Sequence, residues 1–495
     1  MKKRADIFLI VLLSLLCLGF NTNAQPVLFN HTYGSGQYNY GRRIIEAGDK
    51  GFYILGNVSA NSGNSNIHII RTDSLGIILY EKNLGDGPVY WANDFIRTSD
   101  HGFLFCGLTD KLPEKGYDML LIKTDSNINV EWEHYYGGMD WDIANAVIET
   151  KDSAYLIAGQ TYSYGAANEN IYIVKTNYHG DTLWTKTFGG DSTDYATSVD
   201  VLYDSTYLIG ATTNSFGFGS YDGYVLNLDL DGDTIWTKNY GEEKEDIIYS
   251  IKQTPDTGFV FVGSTMSYNA IQHEVWLMKF DKGLNYIWRL PEFWDIGPAD
   301  DIAYNVNITD SAHFIITGYT TFIDGSKDLS VMIMRDNVNF KCSHTDGSIA
   351  DDVGYETIQT ADKGYASVGT SEGLGIGISN IYVLRIGNDC SYANTDEHIL
   401  DVEETDVEKG NELFGIFPTI SNGTYKISFF ENKLSESAVI TIVDLYGQII
   451  RSDITGNNFY GSYNVDISNE ADGIYFITVS DSKKVSSFKV IKRGR

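Results

Sequence analysis

Aromatic residues recur in this chain at a single interval. Tyr80, Trp132, Trp184, Trp236 and Trp288 are each 52 residues apart, and Phe340 lies 52 residues after Trp288. A fixed period in this range marks one supersecondary unit copied along the chain, so it constrains the architecture before any local motif does. A second series agrees. An Asp opens a short turn at Asp49, Asp100, Asp152, Asp204, Asp256, Asp310 and Asp362, and a Gly follows at Gly56, Gly107, Gly159, Gly210, Gly263, Gly318 and Gly369. The Asp residues are 51 to 54 apart, which makes seven copies with small insertions.

The third copy shows the unit. Ile143–Thr150 alternates before the turn at Asp152; Tyr155–Gly159 and Ile171–Lys175 are short apolar runs, and Thr182–Phe188 carries Trp184. Short β-branched and aromatic runs bounded by Gly, Asp and Asn are strand signals. Asp suits the first turn because its side chain bonds the backbone ahead of it. Four strands in each of seven radially repeated units predict an all-β, seven-bladed β-propeller over residues 25–390. Its closure can be read as well. Thr32-Tyr33-Gly34 matches the ends of the fourth strands at Lys82–Gly85, Tyr135–Gly137 and Thr187–Gly189, so Phe29 takes the Trp position. That segment is a fourth strand without its first three, and the seventh copy lacks a fourth after Ile381–Ile386. Pairing the two would remove an exposed sheet edge. A local strand at 390–394, holding Tyr392, is the competing closure.

The two ends differ in kind. Residues 1–24 read as a secretory signal peptide, with Lys2, Lys3 and Arg4, an apolar run Ile7–Phe20, and small residues before Gln25. That run is too short for a spanning helix, which needs about 20 apolar residues, and no other stretch is apolar enough to span a membrane. Cys17 follows the bulky Leu16, where a lipoprotein signal wants a small residue. Residues 391–412 hold eight acidic residues against Lys409 and read as an acidic linker. From 413 to 495, strand runs at Thr424–Phe430, Ala438–Asp444, Tyr463–Ile467, Gly473–Val479 and Lys484–Ile491 predict a small Ig-like β-sandwich.

This terminal domain carries Phe417-Pro418 with Ser421-Asn422-Gly423, then Ile440-Thr441-Ile442-Val443-Asp444-Leu445-Tyr446-Gly447, Gly473-Ile474-Tyr475-Phe476-Ile477 and Lys489-Val490-Ile491-Lys492-Arg493. In that order the motifs resemble the type A C-terminal sorting domain of the type IX secretion system of Bacteroidetes. The family usually has Pro-Asn-Pro where this chain has Pro418-Thr419-Ile420. The resemblance implies an export address read by the outer-membrane translocon and commonly removed. It implies a cargo released to the medium or attached at the cell surface.

Composition excludes some partners. The net charge is −30, and residues 25–390 carry about −26 of it. Nucleic acid and anionic membrane both need basic patches, so neither is an expected partner. With only Cys17, Cys106, Cys342 and Cys390, no disulfide framework builds the fold. Cys106 lies in an apolar run and reads as a core thiol. Cys342 and Cys390 are the pair that an oxidising compartment permits.

No residue is assigned here to catalysis, cofactor binding or metal binding. Asp229-Leu230-Asp231-Gly232-Asp233 has the alternating carboxylates of a calcium loop, but it sits where every copy has a hairpin turn, as at Asp73–Gly76. The spacing Asp229, Gly232, Trp236 is similar to the tryptophan-docking motif of quinoprotein dehydrogenase propellers, where it locks blade to blade. The adjacent cysteines that often hold the PQQ cofactor there are absent. His134, His179, His273, His313 and His344 are scattered, and no nucleophile elbow, zinc helix or phosphate loop is present. Aromatics are the better lead: Tyr38, Tyr40, Tyr90, Trp91, Tyr162, Tyr164, Phe216, Phe218, Tyr221 and Tyr268 fall in predicted loops. Flat amphipathic rings beside Asn, Ser and Gly suit a carbohydrate or protein ligand, and rim packing explains them equally well. The expectation is an exported, non-catalytic binding propeller. A secreted polysaccharide hydrolase is the alternative, with a PQQ oxidoreductase third.

Overall fold

The computed structural model describes residues 28–391 apart from 35–37, 61–62, 113–115, 167, 269, 291–299, 323–324, 337–338 and 376–377; beyond them it describes 414–417, 420–421, 424–429, 439–444, 449–454, 462–470, 473–480 and 485–492. The signal peptide expected at 1–24, the linker expected at 391–412 (apart from Ser391) and the alternative closing residues 392–394 lie outside these. The chain divides into two compact units between residues 398 and 399. Among the described residues no helix is long and apolar enough to cross a membrane.

The first unit contains seven four-stranded antiparallel sheets. Blades one to six run Tyr38–Leu84, Tyr90–Tyr136, Asp142–Phe188, Asp194–Tyr240, Asp246–Arg289 and Ile302–Asp346. The first strands of neighbouring blades touch each other all the way round, which makes them the inner ring of a closed propeller. Burial follows position. In blade four the second strand (Tyr207–Thr213) and the third (Asp222–Leu228) are buried at every residue, while the outer strand (Thr234–Tyr240) is largely exposed. A strand covered on both faces must be apolar on both, so the middle strands read as continuous apolar runs rather than alternating ones.

Each core lies between blades. Leu156, Ile171 and Ile173 of blade three pack with Tyr207, Ile209 and Leu226 of blade four. Phe29, Val368, Ile381 and Val383 pack with Ile44, Phe52, Ile54 and Ile70 of blade one. Blade seven holds Asp352–Gln359, Tyr365–Ser371 and Asn380–Ile386, and its fourth strand is the N-terminal Phe29–Tyr33. Phe29 faces Arg385 and Tyr33 faces Ile381. The N-terminal closure read from the repeat is therefore the one present.

The repeated residues have identifiable tasks. Asp100, Asp152, Asp256 and Asp362 bind a buried cation on the third strand of their own blade: Lys123 at 2.8 Å, Lys175 at 2.9 Å, Lys279 at 2.7 Å and Arg385 at 2.6 Å. Burial raises the Asp100 pKa, but hydrogen bonds from Lys123, Thr98 and the Gly102 amide outweigh it and bring the carboxyl down to about 2. This cation series was not recognised in the sequence, although its spacing equals that of the tryptophans. In blade six the turn residue with positive φ is Ala312 rather than Ser311, so Ser311 takes the Asp place and Asp310 comes one residue early.

The aromatic series needs a second correction. Trp184 faces Lys175 and Trp288 faces Lys279, whereas Phe340 faces Met334 and Cys342 faces Ile333. Cys342, not Phe340, is therefore the equivalent of Trp288, because blade six carries extra residues. The indole N–H of Trp184 donates to the Leu230 carbonyl at 3.1 Å and that of Trp288 to the Asp336 carbonyl at 2.8 Å, each in the third turn of the next blade. Cys342 reaches the corresponding turn of blade seven covalently, through a disulfide to Cys390 with Cα atoms 5.7 Å apart. The last docking contact before the closing strand is thus a bond instead of an indole. Closing a loop of 48 residues restricts the unfolded chain by about 4 kcal/mol in the chain-entropy account. Cys106 is a buried free thiol.

The second unit holds a three-stranded and a five-stranded sheet. Thr424–Phe429, Val439–Asp444, Ser462–Asp466, Gly473–Ser480 and Val485–Lys492 correspond to the expected strands within one or two residues. Phe414–Phe417, Ile420–Ser421 and Ile449–Ile454 were not expected. The short strand Ile420–Ser421 pairs in parallel with Ile491–Lys492, a non-local pairing that no local pattern announces. Ile440, Ile442, Val465, Tyr475, Ile477 and Val479 are buried and form the core of this small sandwich.

Two predictions follow from the shared cores. Deleting residues 26–33 uncovers the edge of Asn380–Ile386 and removes buried Phe29. The whole propeller, not one blade, should lose stability, and calorimetry should show its single transition fall by about 10 °C or more. An unchanged midpoint would mean that another segment completes blade seven. The second concerns Asp222, a buried carboxylate beside Asp246. A Cβ on Gly241 would lie 2.2 Å from Asp222 Oδ1 and 2.8 Å from Asp246 Oδ2, so the two acids flank that glycine. Burial raises the Asp222 pKa, and Asp246 adds to the rise. The folded state therefore holds this proton more tightly than the unfolded chain, and stability declines as pH climbs from near 4 through the raised value. Blade three has Asn170 at this place. Asp222→Asn should stabilise the propeller by about 1 kcal/mol at pH 7 and by nothing at pH 3.5 in denaturant titrations. A loss at pH 7 would contradict the account.

Candidate functional site

Every inner strand carries a β-bulge at the same place, which leaves one residue unpaired in the ladder. These residues are Arg42, Asn93, Asn145, Thr197, Tyr249, Tyr304 and Tyr355. A bulge bends the strand and re-aims the side chain of its extra residue. Here the seven side chains line a funnel on the propeller axis, together with Arg43, Gln160 and Tyr195, enclosing about 350 Å³. In six blades a Gly stands opposite the bulge. A Cβ on Gly159 would sit 1.9 Å from the Ile143 carbonyl oxygen, and one on Gly263 would sit 1.7 Å from that of Ile247, so the bulged strand leaves no room there for a side chain.

The funnel has two unlike halves. On one, polar side chains reach across to the next blade. Asn93 donates to the Ala144 carbonyl at 2.9 Å, Asn145 to that of Ala196 at 2.8 Å, and Thr197 to that of Ile248 at 2.8 Å. Asn145 also donates to Gln160 Oε1 at 2.9 Å. The other half is aromatic. The rings of Tyr249 and Tyr304 meet at 4.9 Å and those of Tyr304 and Tyr355 at 5.4 Å. Burial, reinforced by Tyr249, Tyr319 and Tyr355, drives the Tyr304 phenol well above its ordinary pKa, so it remains a neutral donor at physiological pH. Arg42 joins the halves, its guanidinium carbon 4.7 Å from the Tyr355 ring and 5.4 Å from Trp91. Trp91 in turn donates to Asn93 Oδ1 at 3.1 Å and packs against Tyr40 at 5.3 Å.

The neighbouring charges are committed to one another. Arg43 bonds Asp94 at 2.9 Å and stands 3.9 Å from Glu356, joining blades two, one and seven. Glu356 also accepts the Ile44 amide at 2.9 Å, and Asp94 the Val147 amide at 3.1 Å. Burial pushes the Glu356 carboxyl up, and the charge of Arg43 pulls it back.

The aromatics expected in loops divide. Tyr162, Tyr164, Phe216 and Phe218 are exposed in connections between second and third strands. The antiparallel order puts these connections on the face where the inner strands begin. Tyr38, Tyr40, Tyr90 and Trp91 lie in strands instead, and Tyr90 is fully buried with its hydroxyl on Asp86 at 2.9 Å. Tyr221 and Tyr268 are half-buried, and Tyr268 lies 3.9 Å from the Arg289 guanidinium. Asp229 caps its own hairpin by accepting the amides of Asp231 at 3.0 Å and Asp233 at 2.8 Å. Among the described residues no group of three His, Cys, Asp or Glu side chains is placed to hold a metal ion.

The funnel residues were not singled out in the sequence, yet a signal was there. In six copies the bulge residue stands 14 positions before the repeated Gly, as Arg42 before Gly56 and Tyr304 before Gly318. Blade four breaks the rule because Ala211 replaces the Gly at the equivalent position.

Comparison with known proteins gives one family match: residues 415–493 match the family described as Secretion system C-terminal sorting domain. No curated protein matches. Among solved structures, one similar chain is the extracellular domain described as that of a hybrid two-component system from B. thetaiotaomicron, at 11% identity and TM-score 0.43, covering 95% of this chain and 58% of that one. Another is a puromycin hydrolase, at 10% identity and TM-score 0.43, covering 68% of this chain and 50% of that one. A third is the β-propeller domain of the Trilobed protease from Pyrococcus furiosus, at 11% identity and TM-score 0.42, covering 74% of this chain and all of that one. The chain thus spans about half the length of the first two. Residues 415–493 are a secretion-system C-terminal sorting domain, and the chain that carries it is a β-propeller protein exported by the type IX system to the cell surface or medium.

Proposed function

We propose that the exported propeller is a non-catalytic binding module that takes a carbohydrate in its axial funnel. The observation that carries this reading is the breakdown of the repeat at one place. The turn Asp, the strand Gly and the outer-strand Trp recur from copy to copy, but the seven bulge positions hold Arg, Asn, Asn, Thr, Tyr, Tyr and Tyr. A position with a fixed location and varied chemistry is under a demand other than folding. The chemistry suits a sugar. Phenol faces stack on the C–H face of a pyranose, and amides and hydroxyls on the opposite side bond its hydroxyl groups. The volume falls in the range of small-ligand sites, roughly 300–1,000 Å³.

Binding fits better than hydrolysis. Glycoside cleavage needs two carboxylates facing the bond, one of them free to give or take a proton. Two carboxylates beside the funnel, Asp94 and Glu356, are bound to Arg43 and to backbone amides. Tyr162, Tyr164, Phe216 and Phe218 offer further exposed rings on the face where the inner strands begin.

The test is a glycan array probed with the exported protein, followed by calorimetric titration of the sugars retained. Tyr304→Ala should weaken binding of every retained sugar about tenfold or more, the order of one lost aromatic contact with part of its burial. Turnover of any retained glycan, abolished by substituting a single carboxylate, would replace the binding reading with the hydrolase one.

A further inference from the structure

Arg42 differs from its neighbour in having no counter-charge among the described residues. Arg43, one residue on, is held by Asp94 and Glu356. Among the described residues Arg42 pairs with no carboxylate, and its Nε is buried without a hydrogen-bond partner. Glu372 and Arg42 both act electrostatically on the Tyr40 phenol, but they form no ion pair with each other. The guanidinium is positioned by rings instead, 4.7 Å from Tyr355 and 5.4 Å from Trp91. Stacking fixes the plane of a guanidinium while leaving its edge N–H groups free, and that edge forks onto a planar or tetrahedral oxyanion.

The setting makes an unpaired cation here informative. Residues 25–390 carry about −26, so carboxylates are plentiful everywhere on this domain. The repeat also shows how it treats buried cations: Lys123, Lys175, Lys279 and Arg385 each have an Asp. An arginine held in the axial funnel with its partner withheld is arranged for an anion that arrives from outside. The long-range field of the domain opposes that anion, but screening limits it to about 8 Å at physiological salt.

We infer that the funnel selects an acidic sugar, a residue bearing a carboxylate or a sulfate, with the anionic group on Arg42, the ring face on Tyr304 and Tyr355, and the hydroxyls toward Asn93, Asn145 and Gln160. This rests on the carbohydrate reading above and narrows it. A neutral sugar leaves Arg42 desolvated and unpaired, which costs affinity, whereas an acidic one satisfies it.

The experiment is calorimetric titration of the full exported protein with trigalacturonate, with a sulfated galactan trisaccharide and with neutral galactotriose. At least one acidic trisaccharide should bind tenfold or more tighter than the neutral one; which of them does identifies the anionic group. Arg42→Gln should bring the three affinities together, Arg42→Lys should restore part of the preference, and Tyr304→Ala should weaken all three without changing their ratio. Unchanged thermal midpoints would show that the variants fold. Equal or tighter binding of galactotriose by the unaltered protein overturns the inference and leaves the carbohydrate reading standing. So does a preference that survives Arg42→Gln. If none of the three sugars binds and the glycan array is also empty, both readings fall together.

Discussion

Burial between blades is the interaction on which the rest of this molecule depends. No blade has a core of its own. The two middle strands of each sheet are apolar on both faces because a neighbour covers each face, and their side chains interleave with those of that neighbour. A sheet treated this way cannot be stable alone, and a row of them cannot end. The ring resolves both problems, since it gives every apolar face a partner and leaves no blade with an uncovered side.

Closure is therefore the point of greatest leverage, and the chain reinforces it from both directions. The N-terminal strand completes blade seven through the ladder Phe29–Tyr33, which brings the first and last parts of the propeller into one sheet. The step before it, from blade six to blade seven, is made covalent by Cys342 and Cys390. Next to the seam on the inner ring, Arg43 ties Asp94 of blade two to Glu356 of blade seven across blade one. Three unlike interactions thus converge where an open ring would start to unravel, and each joins residues far apart in sequence.

The funnel is a by-product of the same construction. A first strand must curve to stay on the inner ring, and the bulge that curves it turns one side chain per blade toward the axis. Six of the seven bulges have a Gly opposite them, and in five of these a backbone carbonyl occupies the space a Cβ would take. The fold thus supplies seven positions at the axis whose identity is not fixed by packing. This chain spends them on an aromatic arc, an amide and hydroxyl arc, and an arginine between the two.

Much of this was legible in the residues alone, for a physical reason. Repetition makes local pattern and global fold the same statement, so the recurring aromatic, Asp and Gly positions give the blade number, and the partial copy at Thr32-Tyr33-Gly34 gives the N-terminal closing strand. The terminal sorting domain was legible because its motifs are contiguous. Where copies differ in length the reading slipped: Phe340 was taken for a tryptophan equivalent and Asp310 for a turn Asp, since a constant interval cannot see an insertion of a few residues. The parallel pairing of Ile420–Ser421 and the cation beneath each turn Asp were also missed, because each depends on which strands lie side by side. What only the tertiary structure decided is the site. Arg42, Asn93, Asn145, Thr197, Tyr249, Tyr304 and Tyr355 follow no single residue pattern and lie about 50 apart, and only the closing of the ring turns these seven side chains toward one axis.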